Sequence, residues 1–335
     1  MTGTTTSGDD VLPLVIILGP TASGKSALAV RAARQFGGEI LACDSTQVYR
    51  GFDIGTAKPT AEERGGVPHH LMDLAEPSEL FTAGEYRRRA LAVLRDLNQR
   101  GCLPVLTAGT GLYLRALLEG LADAPERSEE LRARLVSIAE RRGHTHLHGL
   151  LRRLDPPSAA RISRNDTQKL IRALEICLIA GKPLSEVHRA GREPLKGYRP
   201  IKIGLLPPRE LLHEHIAHRV HGMIERGWLA EVATLMERGT PASAKPFEFI
   251  GYRELRGHRQ GQTSLQEAAQ AIAVATRQYA KRQMTWFRKE PGVTWLPGFG
   301  DDPEIMAAAL KSLEERLRGN WSKLNICGDV DKGIL

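Results

Sequence analysis

Eight residues, Gly19-Pro20-Thr21-Ala22-Ser23-Gly24-Lys25-Ser26, fit G-x-x-x-x-G-K-[ST] at every fixed position. That spacing serves one kind of chemistry, the holding of a phosphate or diphosphate. The glycines let backbone N–H groups approach oxygens that a Cβ would block, and a helix N-terminus behind them favours negative charge. Lys25 supplies a point charge, and the Ser26 hydroxyl can ligate Mg²⁺. A second candidate is Asp44, whose carboxylate can take a proton, bind a metal or cap a helix. A third position is defined by what stands there. Where an ATP-hydrolysing P-loop protein ends a strand with an Asp for Mg²⁺, this chain offers Thr107 and Thr110, both neutral.

These groups need a parallel sheet to bring them together. Val15-Ile16-Ile17-Leu18 reads as a buried strand leading into the loop, and Leu28, Ala29, Ala32, Ala33 and Phe36 mark the helix after it, stopped by Gly37-Gly38. Glu39–Cys43 is the second strand, which sets Asp44 at a carboxyl end, where open α/β sheets bind ligands. Residues 45–60 read as a short helix and a loop, and Pro68–Asp73 as a loop running into a short strand. His69 and His70 have no third ligand nearby in sequence and read as structural. Thr82-Ala83-Gly84-Glu85 and Ser264-Leu265-Gln266-Glu267 are capping boxes opening helices toward Gly101 and Arg288. Between them fall strands at Leu103–Thr107 and Ile201–Leu206 and a helix over Leu211–Glu225, with Ile216, Val220 and Ile224 inside. Val293–Leu296 is a last strand, and Asp302-Pro303 starts a closing helix to about Arg318. The fold class is α/β, a P-loop NTPase-like parallel core over residues 13–125 and 200–318.

Charge marks off an insertion. Between Glu126 and Arg199 there are 16 Lys and Arg against 9 Asp and Glu, whereas the rest of the chain holds 31 against 30. Nearly all of the net +8 lies in that one segment, which favours a polyanionic partner, nucleic acid first. The segment reads as helical, one helix capped by Ser128 and a clearer one over Gln168–Ala180 with Leu170, Ile171, Leu174 and Leu178 inside. Gln168, Arg172 and Glu175 share another face; spacing leaves open whether it meets water or a phosphate backbone. No apolar run approaches the roughly 18 residues of a membrane span, and Met1–Asp10 lacks the pattern of a signal peptide. Cys43, Cys102, Cys177 and Cys327 form no C-x-x-C pair and read as thiols of a reducing cytoplasm. A disordered lead-in is expected over residues 1–12 and a loose tail over 319–335.

Six ordered blocks carry a resemblance: Gly19–Ser26, Asp44–Tyr49, Asp53–Pro59, Gly109–Tyr113, Ile250–Glu254 and Arg277–Gln283. Together they resemble the bacterial tRNA dimethylallyltransferases, over roughly Leu14 to Leu296. The resemblance implies transfer of a dimethylallyl group from dimethylallyl diphosphate to the exocyclic amine of the adenine 3′ of the anticodon. It implies Asp44 as the base, Thr110 near the leaving oxygen and the RNA, Arg219 with Gly19–Ser26 on the diphosphate, and Mg²⁺ on Ser26. It further implies tRNA contacts at Asp44, Ser45, Thr46 and Gln47, at Thr110 and Arg132, and at Gln168, Lys169, Leu170, Ile171 and Arg172. The remaining tRNA stretches would be Glu248–Arg253, with Gly251, Tyr252 and Arg253, and Arg277–Met284, with Arg277, Lys281 and Arg282. Ala108 stands where the family usually has glycine, and Phe247-Glu248-Phe249 is not its usual lead-in to Ile250. The zinc finger of eukaryotic relatives is absent, and a monomer is the default for a tRNA-modifying enzyme of this size.

The nearest rival, an adenylate isopentenyltransferase, has no use for a basic insertion. A small-molecule P-loop kinase should show the missing Asp. A non-catalytic RNA-binding protein has no need of Lys25, Ser26 and Asp44 together.

Overall fold

A computed structural model describes residues 11–189 and 191–318. Six strands form one sheet: β1 (Leu12–Leu18), β2 (Gly38–Cys43), β3 (His69–His70), β4 (Leu103–Ala108), β5 (Tyr198–Leu205) and β6 (Val293–Leu296). Their order across the sheet is β3-β2-β4-β1-β5-β6. Every pairing is parallel, with Val15 level with Val105 on one side and Ile201 on the other. Parallel strands joined by helical crossovers are covered on both faces, which is why β1 reads as an unbroken apolar run and Leu14–Leu18 have no exposed surface. One core cluster packs Leu28, Phe36, Val105, Ile203 and Leu313 together from strands and helices that are far apart in sequence.

Sequence signals set most boundaries. Gly37 caps helix Lys25–Phe36 in the left-handed region, Thr82 caps Ala83–Arg100, and Ser264 closes a full capping box on Leu265–Phe287. Asp302 caps Pro303–Leu317, with Pro at the position whose N–H has no helical partner anyway. Two expectations were displaced. Residues 45–49 form hydrogen-bonded turns and not a helix, because Thr46 bonds back to the Asp44 carboxylate, and the short strand lies on the histidines, before the loop. Residues 1–10 of the lead-in and the tail 319–335, with Cys327, lie outside the described residues, and Leu12 already opens β1.

The chain divides into two compact units, one running to Leu117 and resuming at Lys196, the other being Leu118–Leu195. The second has its own core, in which Leu135, Leu147, Leu151, Leu170 and Leu174 meet. Its entry and exit are tied together, Leu195 N–H donating to Leu118 O at 2.9 Å, with an antiparallel bridge from Ala122 to Arg192. Helix Thr167–Ala180 buries Cys177, whereas Leu178, expected inside, is exposed. Glu175, on the face left open between water and a phosphate backbone, is fully buried. It accepts Ser128 N–H at 2.8 Å and pairs with Arg172 Nη1 at 2.6 Å and Arg132 Nη1 at 3.2 Å. Those partners offset its desolvation and hold its carboxyl below the usual range.

Candidate active site

The carboxyl ends of β1, β2 and β4 open into a cleft of about 1130 Å³. From β1 the chain turns through Gly19–Gly24 into helix Lys25–Phe36. Gly24 sits at φ 79° against Gly300 and Asp301, where a Cβ would lie 2.7 Å from Gly300 N; only glycine allows both. Ala22 is left-handed as well, at φ 62°, so strain is held in the loop itself. Thr21 to Ser26 line the cleft, while Gly19 and Pro20 offer carbonyls that accept from Lys25 Nζ at 2.9 and 2.6 Å. Burial lowers the Lys25 ammonium to about 7, Arg219 pushing the same way and Asp44 opposing. Among the described residues the buried Ser23 hydroxyl has no hydrogen-bond partner, a polar atom at the cleft that could meet an acceptor or donor there.

Asp44 follows β2 and is half-buried. Its Oδ1 accepts from Thr46 N–H at 2.8 Å and Thr46 Oγ at 2.6 Å, which fixes the carboxylate and leaves Oδ2 toward Gly109. A Cβ at Gly109 would stand 2.4 Å from Oδ2, so the turn after β4 must be glycine for Asp44 to lie there. Gly109 and Thr110 hang from Cys43 O by their N–H groups, and Thr110 Oγ1 accepts from Ser45 N–H at 2.9 Å. The ends of β2 and β4 therefore form one bonded corner.

The far wall is the loop Asp53–Pro59. Glu231 holds it, accepting N–H groups from Asp53 at 3.0 Å, Ile54 at 2.7 Å and Gly55 at 3.4 Å, and the Tyr252 hydroxyl at 2.6 Å. Lys58, almost fully buried, donates to Tyr49 O, Asp53 and Asp73. Gln47 Nε2 donates to Thr56 O and Ala57 O. Arg219 and Arg226 face the cleft from the helix Arg209–Glu225 and its cap, and burial with the Arg226 charge lowers Arg219.

Of the residues expected on a diphosphate, Thr21 to Ser26 and Arg219 meet in this cleft, together with Asp44 and Gln47. Arg132 and Gln168 to Arg172 belong to the other unit. Leu170, Ile171 and Tyr252 are buried, so their side chains pack inside instead of reaching a partner. Gly251, at φ 92°, lies so close to Trp228 that it too serves packing. Arg253 is paired with Glu254, Lys281 and Arg282 are exposed, and Arg277 is half-buried. His70 Nε2 pairs with Glu39 and His69 Nδ1 with Val67 O, and among the described residues no three His, Cys, Asp or Glu side chains cluster to hold a metal. Sequence reading missed Glu231, Lys58 and Arg226, and took Gln283 only as part of a tRNA-contacting stretch, whereas its amide bridges Thr21 and Gly109. A signal existed for Gln283, which stands in the buried stripe Ile272, Ala280, Gln283, Phe287, where a polar side chain demands partners.

A family model described as "IPP transferase" matches residues 47–290. The chain belongs to the IPP transferase family. A tRNA dimethylallyltransferase of Solibacter usitatus is 51% identical over 299 residues, 89% of this chain and 97% of the relative. One of Koribacter versatilis is 50% identical over 301 residues, 90% and 98% of the two chains. Among solved structures, the full-length tRNA isopentenylpyrophosphate transferase of Bacillus halodurans is 38% identical with TM-score 0.65, covering 91% of this chain and 98% of that one. A eukaryotic dimethylallyltransferase described as acting on tRNA has TM-score 0.78 at 27% identity, covering 92% and 80%. The IPP transferase match begins at Gln47, beyond both Lys25 and Asp44. As an IPP transferase the chain is an enzyme of the transferase class with a P-loop NTPase-like core.

Proposed function

We propose that this enzyme moves a dimethylallyl group from dimethylallyl diphosphate to the exocyclic amine of the adenine 3′ of the anticodon in tRNA. The carrying observation is the juxtaposition, in one cleft, of an anion-holding loop and a fixed carboxylate with one free oxygen. In the reaction the amine nitrogen bonds the allylic carbon and the carbon–oxygen bond breaks. The electron pair leaves with diphosphate, and the amine proton passes to Asp44 Oδ2. The loop N–H groups, Lys25 and Arg219 stabilise charge developing on the leaving oxygen. Thr110 orients the corner beside the reacting centre. The Ser26 hydroxyl faces the cleft and is a hard oxygen donor, which fits Mg²⁺ better than any softer metal. Bound there, the ion would neutralise diphosphate charge.

The relatives named tRNA dimethylallyltransferase support tRNA as acceptor, and so does the basic segment Glu126–Arg199, which gives RNA a surface that a free nucleotide would not need. Lys169, Gln168, Arg132 and Arg172 in that segment, with Lys281, Arg282, Arg277 and Arg253 outside it, supply cations and amides for phosphates, and the target base is flipped out toward Asp44. Neutral Thr107 and Thr110 count against a kinase. Buried thiols at Cys43, Cys102 and Cys177 suit the cytoplasm, no described helix is long and apolar enough to cross a membrane, and the enzyme acts as a monomer. The test is incubation with labelled dimethylallyl diphosphate and tRNA, AMP or ATP. Label is expected in tRNA alone without ATP turnover; phosphoryl transfer from ATP would refute the assignment.

Two further results are expected. Because burial, with Arg219 acting the same way, lowers the Lys25 ammonium to about 7, an anion should bind there together with a proton above that pH. Diphosphate affinity should fall as pH rises above that value, by up to about 10-fold per unit beyond the ligand's own ionisation. Calorimetry in buffers of different ionisation enthalpy should show proton uptake at about pH 8, one unit above that midpoint. Buffer-independent heats would remove Lys25 from the anion site. Arg172→Ala leaves Glu175 with Arg132 and Ser128 N–H, so the unit should stay folded. Its tRNA affinity should drop and the slope of log K against log salt should shrink by roughly one. An unchanged slope would take Arg172 off the RNA.

A further inference from the structure

We infer that Gln283 is a positioning residue that fixes the diphosphate loop and the Asp44 corner at one separation, an inference that rests on the function proposed above. Gln283 Oε1 accepts Thr21 N–H at 2.8 Å, and its Nε2 donates to Gly109 O at 2.8 Å. One primary amide thus spans the end of β1 and the turn after β4. Thr21 N–H can only donate and Gly109 O can only accept, so the amide satisfies both in a single orientation.

Each end of this bridge touches the chemistry. Thr21 lies in the loop that grips diphosphate, two residues from the buried Ser23 hydroxyl. Gly109 is the residue whose missing Cβ makes room for Asp44 Oδ2, and its neighbour Thr110 bonds Ser45. The distance from leaving group to proton acceptor is therefore set through Gln283. Its side chain is buried at 5% exposure and lines the cleft, so within the Arg277–Met284 stretch it faces inward, away from the outer face of the helix. Tyr279, one turn before it, also donates to Gly109 O, at 3.2 Å. The same helix shows Lys281 and Arg282 on its outer face.

Gln283→Met keeps the length and removes both bonds; Gln283→Glu keeps an acceptor for Thr21 but sets a carboxylate against Gly109 O. Transfer by the unaltered enzyme, measured first, tests the function itself; variant-to-parent ratios test Gln283. With the full chain, kcat of Gln283→Met should fall about 100-fold, as for a misplacement of reacting groups by an ångström. Inorganic diphosphate and tRNA should each still bind within about 3-fold of the parent, and the melting midpoint should stay within a few degrees. Gln283→Glu should be slower still. A Gln283→Met enzyme with kcat within about 3-fold of the parent overturns the inference. So does a loss of diphosphate binding that matches the loss of kcat, since Gln283 would then only prop the loop. Should the methionine variant fail to fold, parental kcat in Gln283→Glu overturns it equally.

Discussion

Asp44→Asn should cut kcat by about 10³-fold, within the range that a positioned general base contributes, while tRNA and diphosphate bind nearly as before. The substitution is almost isosteric. The carboxamide oxygen it introduces can still accept from Thr46 N–H and Thr46 Oγ, so the turn that carries the residue is kept. What changes is the position beside Gly109, where an amide nitrogen that cannot take a proton replaces Oδ2. The amine of adenine is a poor nucleophile until that proton can leave, so the loss should fall on the chemical step. Rapid-quench single turnover with labelled dimethylallyl diphosphate reads that step, and filter binding reads tRNA affinity. Turnover within a few-fold of the parent would exclude Asp44 as the base.

Glu231→Ala should lower stability by about 1–3 kcal/mol, the range seen when an acceptor is removed and its donors are left unpaired. The N–H groups of Asp53 and Ile54 lose their acceptor together, and the fully buried Tyr252 hydroxyl keeps only the Gly55 N–H. Burial, then the Glu231 charge, already holds the Tyr252 phenol well above its ordinary range, so it stays a donor in need of a partner. Because the freed loop walls the cleft, KM for the prenyl donor should rise along with the fall in urea midpoint. Glu231→Gln, which keeps one carbonyl, should retain most of the midpoint. Equal midpoints for parent and alanine variant would show that the loop is held from elsewhere.

What the sequence disclosed was local. The loop Gly19–Ser26, the caps at Ser128, Ser264 and Asp302, and the strand Val293–Leu296 each depend on a few consecutive residues, and the structure has them where spacing put them. Helical periodicity gave a stripe but not its width, so Leu178 was expected inside while Cys177 took the place. Glu175 shows the deeper limit. A charged residue on a face that spacing sets toward water or a phosphate backbone can be buried when a partner 43 residues away arrives to neutralise it, and nothing near it in sequence announces Arg132. Gln283 and Glu231 bond segments 262 and 178 residues distant, Thr21 and Asp53, so only the fold discloses what they hold.

The bond between Leu195 and Leu118 carries an evolutionary corollary. Since both chain ends of the second unit meet at one clasp, the sheet sees everything between them as a short connection, whatever its length. Loop-closure entropy then hardly changes when helices inside the clasp are lengthened, exchanged or lost. Selection could thus retune which RNA is gripped without retouching the transferase core, one module being swapped as freely as a tool in a chuck.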